Sequence, residues 1–452
     1  MGPPRELVSE AVRAGAVVLP VGAIAFVTAE LTSASLAAAG IAAAVWIVAM
    51  RRSYCSISLA PFVHGFAIVS AIGALMGLAL LTILQPWIPG LELSPSQRLL
   101  TTAGVFASTA VIGRAAARLA PYRHLVVVGT ADEGRALLRD IALRPDLPFR
   151  CVGVVTPGAS DEPAARGWPC ASTPSDLVEA VTRTGAELVV LGTRSTQTAI
   201  CDQLMELACT NVRVVSYDQF YEHAFGRVPV EHVSPAWFMG VLHLYRRPCS
   251  RIAKRSFDLA FATIGLVVLA PLLAALAVLV RRSGPGPILY TQTRIGEGGR
   301  PFRIFKLRTM SDGAEGGGAV WAARHDPRET RIGGLLRSTR LDELPQLWNI
   351  LRGEMSLVGP RPERPEFVEI LRDEVPFWTS RHFVKPGITG WAQVNVGYTA
   401  DRGGAAAKLS YDLYYLRHRS VVMDLAIVAK TARFVTMSLV EHLGHHPAPR
   451  TN

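Results

Sequence analysis

Lys254–Arg282 reads KRSFDLAFATIGLVVLAPLLAALAVLVRR, and its pattern decides the architecture. The 25 residues Ser256–Val280 form an apolar run interrupted by one acid, Asp258. A bilayer core takes about 20 such residues, so the run is long enough to cross it. Basic pairs flank both ends, Lys254-Arg255 and Arg281-Arg282. Excess Lys and Arg mark the cytoplasmic side, so both ends belong there. Pro271 lies inside the run, where it removes a backbone donor and bends a helix. A helix that enters one leaflet, bends and returns satisfies both facts and keeps everything after Val280 in the cytoplasm. A plain fifth span is the competing reading. Asp258 sits near the cytoplasmic end of the run, where an acid is costly unless paired; Lys254 or Arg255 is the expected partner.

Upstream of this run the chain is apolar again. Half of its 452 residues are hydrophobic, mean hydropathy is +0.27, and formal net charge is +11. Four apolar stretches run at 14–29, 36–50, 57–84 and 99–112. Arg5 and Arg13 precede the first, Arg51 and Arg52 follow the second, and Arg114 and Arg118 follow the fourth. The intervening loops hold Glu30, Glu92 and Arg98. This asymmetry predicts a four-span bundle over 1–120 with both ends in the cytoplasm, and a membrane anchor rather than a cleaved leader. The basic balance suits anionic lipid head groups. Nucleic acid is not an expected partner, because no helix-turn-helix, zinc finger or aromatic RNA-binding pattern is present. The six cysteines form no C-x-x-C or zinc spacing and read as reduced, small hydrophobes.

Residues 121–245 change character. His124–Val128 is a buried-strand pattern ending at Gly129, and Gly129-Thr-Ala-Asp-Glu-Gly134 opens a helical pattern through Ile141. Further strand-like runs occur at Cys151–Val155, Glu187–Leu191 and Val212–Ser216, with helical segments between. The alternation predicts a parallel α/β sheet of the Rossmann-like kind. Its glycine fingerprint is degraded: Ala131 stands where the middle glycine lets a pyrophosphate approach. The expectation is a structural or regulatory module without cofactor.

Chemistry concentrates in 284–397. There FRIFKLRTM (Phe302–Met310) is followed by TRIGGLLRSTRLDELPQLWNILRGEMSLVGPRP (Thr330–Pro362) and KPGITGWAQV (Lys385–Val394). Eight arginines fall between Arg324 and Arg364, with Lys306 and Arg308 just upstream. Arginine forks bind phosphate oxygens bidentately, so the density points to phosphate-bearing ligands, beside the plainer reading of a basic membrane-facing surface. Arg361, held between Pro360 and Pro362, is the least suited to a surface role. Asp342-Glu343 sits among these cations, before Pro345. The pair reads either as counterions or as a carboxylate nucleophile attacking phosphorus, with Mg²⁺ offsetting the repulsion between carboxylate and diphosphate.

These blocks resemble the bacterial sugar transferase family, the polyprenyl-phosphate hexose-1-phosphate transferases. The likeness begins at Lys254-Arg255-x-x-Asp258 and the proline-bent helix 256–280, and covers about 250–435. The spans and the Rossmann-like module match the family's long form. Gly226–Phe238 and Arg361–Phe367 look most like its exopolysaccharide branch. The resemblance implies an α-helical membrane bundle (1–120), an α/β Rossmann-like module (121–245) and an α/β catalytic domain (246–452) with a re-entrant membrane helix. It implies an inner-membrane enzyme facing the cytoplasm that moves a hexose-1-phosphate from a UDP-sugar donor to undecaprenyl phosphate, releasing UMP. Glucose is the first expectation for the sugar and galactose the second. Asp342 would be the nucleophile and would hold Mg²⁺, Glu343 would assist, and Lys306, Arg308, Arg337 and Arg361 would bind substrate. Lys254, Arg255, Asp258 and Pro271 would shape the re-entrant helix. Arg340 stands where the family often has serine, and Ala270 replaces a small polar residue before the helix proline. Dimerisation through the spans or the module is compatible with the sequence.

Two other classes compete. A Rossmann-type dehydratase or epimerase needs Tyr-x-x-x-Lys, and none of the five lysines has tyrosine four positions earlier. A membrane scaffold or nucleotide-sugar sensor would have no need of Asp342-Glu343.

Overall fold

The computed structural model describes residues 122–145, 147–155, 171–172, 177–192, 198–208, 212–233, 237–241, 248–311, 328–396 and 402–444. The four expected spans, and the glycine-rich insert at 312–327 within the arginine-rich segment, lie outside these residues. The chain divides into two compact units, one ending at Gly226 and the other starting at Arg227.

The first unit is an α/β layer. Its strands are β1 (Arg123–Val128), β2 (Phe149–Val155), β3 (Ala171–Ser172), β4 (Leu188–Leu191) and β5 (Arg213–Ser216). They form one parallel sheet in the order β3-β2-β1-β4-β5. The helices are α1 (Ala131–Ala142), α2 (Leu177–Thr184), α3 (Thr198–Ala208) and α4 (Tyr217–Phe225). Alternate residues of central β1 feed two cores: Leu125 and Val127 pack with Phe149, Phe220 and Tyr221, while Val126 and Val128 pack with Leu177, Val181 and Val189. A strand buried on both faces must be apolar at every position, which explains the unbroken LVVV run.

The turn that carries the degraded fingerprint is closed by its own side chains. Thr130 and Glu133 make a capping box at the start of α1, with the Thr130 N–H donating to Glu133 Oε2 at 2.9 Å. The Glu133 side chain is buried between Gly129 and Gly192, at the carboxyl ends of β1 and β4. A Cβ on Gly129 would lie 2.5 Å from Glu133 Oε2. Ligands of this fold class settle where the strands end and the order reverses. Here the Glu133 carboxylate lies at that place, between Gly129 and Gly192.

Gly226, left-handed at φ 64°, stops α4. The chain then leaves the first unit. Val228, Val230, Trp237 and Val241 pack into the second unit's core with Leu371, Trp378, Leu409 and Leu413. The compact boundary therefore falls at 226/227, whereas the sequence pattern places it at 245/246.

The second unit begins with the long helix α5 (Pro248–Arg282), followed by the antiparallel hairpin β6 (Leu289–Ile295) and β7 (Pro301–Leu307). Next come α6 (Arg331–Ser338), a 3-10 turn (Leu341–Glu343), α7 (Gln346–Arg352) and β8 (Ser356–Val358). After these are α8 (Pro365–Glu374), β9 (Gly387–Thr389), which pairs parallel with β8, α9 (Trp391–Asn395), α10 (Arg402–His418) and α11 (Val421–Gly444). Among the described residues α5 is the one helix long and apolar enough to cross a membrane. It stays helical through Pro271 rather than opening into a turn.

Both ends of α5 are fastened to the same unit. At its start, Lys254 bridges Asp258 (3.1 Å) and Asp424 of α11 (2.7 Å). Arg255 donates to the Ile350 and Leu351 carbonyls at the end of α7. Asp258 accepts from Ser356 Oγ and the Leu357 N–H. Of the two cations expected for Asp258, Lys254 is thus its partner. At the other end Arg308 is buried and donates to the carbonyls of Val280, Gly284 and Pro285. Between them Ala262 and Leu269 pack with Ile304 and Ile350, and Leu276 and Val280 with Leu307 and Leu336. The remaining face exposes Leu259, Ile264, Val267, Val268, Leu272, Val278 and Leu279.

Candidate active site

Strand β7 supplies a lysine by simple alternation. Ile304 and Lys306 share one face; Ile304 is buried against α7, and Lys306 two residues on reaches Glu343 at 3.0 Å. The acids come from a tight corner. Thr330 caps α6 through the Gly333 N–H, and a Cβ on Gly333 would overlap the Thr309 carbonyl, so only glycine lets α6 lie this close to β7. After α6, Arg340 takes a left-handed backbone at φ 58°, uncommon for a residue with a Cβ. The chain then makes the 3-10 turn, and Pro345 starts α7. The corner turns Asp342 and Glu343 inward; both are at least nine-tenths buried.

The two carboxylates have different surroundings. Glu343 Oε1 accepts from Lys306 Nζ and from Arg361 Nη2 at 2.8 Å, while its Oε2 is buried without a partner. Burial pushes Glu343 up, but Arg361 and Lys306 outweigh it and hold the group well below the usual carboxylate range. Asp342 makes no hydrogen bond or ion pair among the described residues. Burial pushes it up to about 6, opposed by Lys306, reinforced by Glu343, and opposed further by Arg361 and Arg337. Neighbouring acids driven apart in this way are suited to different roles.

Arg361 is held by its backbone. Arg381 donates to the Arg361 carbonyl at 3.1 Å, Arg294 to the Pro362 carbonyl at 3.2 Å, and the Gly387 N–H to the Pro360 carbonyl at 2.9 Å. Arg381 is itself buried, paired with Asp412 at 2.8 Å and stacked over Trp378. Burial, with Arg361 nearby, lowers Arg294 to about 10. These clamps leave the Arg361 side chain half-exposed beside the acids.

Of the residues singled out from sequence, Asp342, Glu343, Lys306 and Arg361 converge. Arg337 is close enough to act on Asp342 and is paired with Glu329. Arg308 stands apart from them: it is buried and donates to three backbone carbonyls at the end of α5. Arg294, Arg381 and Asp412 carried no motif signal, and Gln393, which accepts from Arg340 at 3.0 Å, lay within the KPGITGWAQV block without being singled out.

No group of three or more His, Cys, Asp or Glu side chains gathers among the described residues. The donor chemistry still suits Mg²⁺, which is commonly held by one or two carboxylates plus substrate phosphates. Asp342, buried and unpartnered, offers such a carboxylate.

The family model for bacterial sugar transferases matches residues 249–438. A UDP-glucose:undecaprenyl-phosphate glucose-1-phosphate transferase of Escherichia coli (strain K12) is 34% identical over 318 residues, covering 68% of this chain and 67% of that protein. This chain belongs to the bacterial sugar transferase family. The exopolysaccharide production protein of Rhizobium leguminosarum bv. phaseoli is 40% identical over 186 residues, 40% of this chain and 93% of its own length. A UDP-N-acetylgalactosamine-undecaprenyl-phosphate N-acetylgalactosaminephosphotransferase of Aeromonas hydrophila is 40% identical over 232 residues, 51% of this chain. The match spans about half of that relative's length, 54%.

Proposed function

We propose that this family member transfers a hexose-1-phosphate from a UDP-sugar to undecaprenyl phosphate, an early membrane step of exopolysaccharide assembly. The observation that carries the reading is the buried dyad, with Glu343 tied to Lys306 and Arg361 while Asp342 stays unbonded. A carboxylate oxygen of Asp342 attacks the phosphorus that bears the sugar. The P–O bond to UMP breaks, and UMP leaves with the electron pair. An oxygen of undecaprenyl phosphate then attacks the same phosphorus and displaces Asp342, giving undecaprenyl-diphosphate-sugar. Both nucleophiles are anions, so neither step needs a proton moved at Asp342. Glu343 holds Lys306 and Arg361 in place, and these cations face the charge that develops on the phosphate oxygens. Asp342 would hold Mg²⁺, which would supply charge neutralisation.

Glucose is our first assignment for the sugar; N-acetylgalactosamine, from the Aeromonas relative's name, and galactose come after it. We also place the active site at the cytoplasmic face of the inner membrane, with α5 re-entrant. Support comes from the anchoring of both helix ends to one folded unit, which a bilayer about 30 Å thick would otherwise separate.

The test is UMP release by the purified protein from UDP-glucose, UDP-galactose and UDP-N-acetylgalactosamine, with and without undecaprenyl phosphate, before and after EDTA. Release from one donor that needs a divalent cation is expected, limited to about one equivalent per enzyme without the lipid and continuing only with it. Release from no donor overturns the transferase reading in favour of a nucleotide-sugar sensor or scaffold. Indifference to chelation removes the metal.

A further inference from the structure

Lys306 and Glu343 sit on different elements, and their meeting depends on the register of β7 against α7. Among the described residues strand β7 has a strand neighbour, β6, on one edge only. On the other edge Asn349 of α7 takes the place of a third strand. Its Oδ1 accepts from the Phe305 N–H at 3.2 Å, and its Nδ2 donates to the Arg303 carbonyl at 2.7 Å. The second Nδ2 hydrogen goes to Glu354 Oε2 at 2.8 Å. A carboxylate only accepts, so Glu354 fixes which way round the Asn349 amide lies. The residue is fully buried.

The consequence is geometric. With Arg303 and Phe305 read by Asn349, the side chains of Ile304 and Lys306 share a face of β7. Ile304 joins Leu347 and Ile350 in one core cluster, and Lys306 reaches Glu343, four residues before Leu347. A slip of one residue would send Lys306 to the opposite face of the strand. We propose that Asn349 is a positioning residue of the active site, which through Phe305 and Arg303 sets where Lys306 meets Glu343. The proposal rests on the reading that Lys306 and Glu343 serve phosphosugar transfer.

The experiment is a double-mutant cycle on the full-length protein, reading UMP release with the active donor of the panel and undecaprenyl phosphate, alongside thermal unfolding. Asn349→Asp keeps the acceptor for Phe305 but faces Glu354 and the Arg303 carbonyl with a second acceptor. It should lower kcat on the order of 10²-fold, the scale expected for a misplaced catalytic group. In a Lys306→Met background the same change should cost less than about 3-fold, because the residue it positions is gone. Adding Glu354→Gln to Asn349→Asp supplies a donor and should recover most of the loss. If Asn349→Asp does not fold, Asn349→Ser, which is too short to reach both backbone groups of β7, enters the cycle in its place. Wild-type kcat in Asn349→Asp, or losses that multiply with Lys306→Met, overturns the positioning role. Wild-type activity of Lys306→Met alone instead overturns the underlying reading.

Discussion

Asp342 and Glu343 are adjacent in sequence and opposite in circumstance. Asp342→Asn should lower transfer by at least ~10³-fold, since an amide cannot form the acyl phosphate. It should do so without unfolding the protein. An acid raised from 3.8 to about 6 by burial stabilises the fold in its protonated form. That contribution is complete below pH 3.8 and is lost as pH rises through about 6. At pH 7.5 the charged group therefore costs stability, and the asparagine variant should melt higher than wild type. Reactivity runs the other way, because only the carboxylate attacks. The rate should fall about tenfold per unit as pH drops below about 6; a pH–rate profile between 5 and 8 with no acidic limb would contradict the assignment. The acid pair was legible because both letters are adjacent and set among cations. The placement of Arg308 was not legible, because a letter does not reveal that a guanidinium donates to three carbonyls of its own chain.

At the scale of elements, one ammonium is shared by two buried acids at the base of α5. Lys254 serves both Asp258 and Asp424, each almost fully buried. Lys254→Met removes the cation from two buried carboxylates, which keep only neutral donors, and should cost about 3–5 kcal/mol, seen as a lowered Tm in detergent. Lys254→Arg should restore part of it. In the first unit, the start of α1 carries Glu133 against Gly129 and Gly192. The prediction is that millimolar NAD⁺ leaves the melting temperature unchanged, because a carboxylate already fills the phosphate position. A rise in Tm with NAD⁺ would show the carboxylate swinging aside. The parallel strands were readable from unbroken apolar runs and intervening helical periods. Glu133's role was not, because its neighbour Gly192 lies 59 positions away.

At the scale of the whole molecule, topology turns on which side of the membrane each end of α5 occupies. Single cysteines at Arg251→Cys and Arg281→Cys, in a chain freed of its own cysteines, should both resist a membrane-impermeant maleimide in spheroplasts. Both should react once the membrane is opened. Periplasmic labelling of position 281 alone would make α5 a span and put the hairpin β6–β7 and the acid pair outside the cytoplasm.

Some properties are set by the chain read as letters. Apolar runs, basic flanks, the βα alternation and the Asp342-Glu343 pair with its arginines are local patterns, and local chemistry dictates them: a bilayer excludes charge, and a sheet buried on both faces excludes polarity. Other properties exist only once distant segments meet. The boundary at Gly226, the capture of 228–241 by the second unit, the use of Arg308 as a pin, and the clamps from Arg294 and Arg381 on the Arg361 loop all depend on contacts across tens of residues or more. So does the difference between the two acids. Their spacing is covalent, but which one is bound and which is left free is decided by Lys306, 37 positions before Glu343, and Arg361, 18 after it.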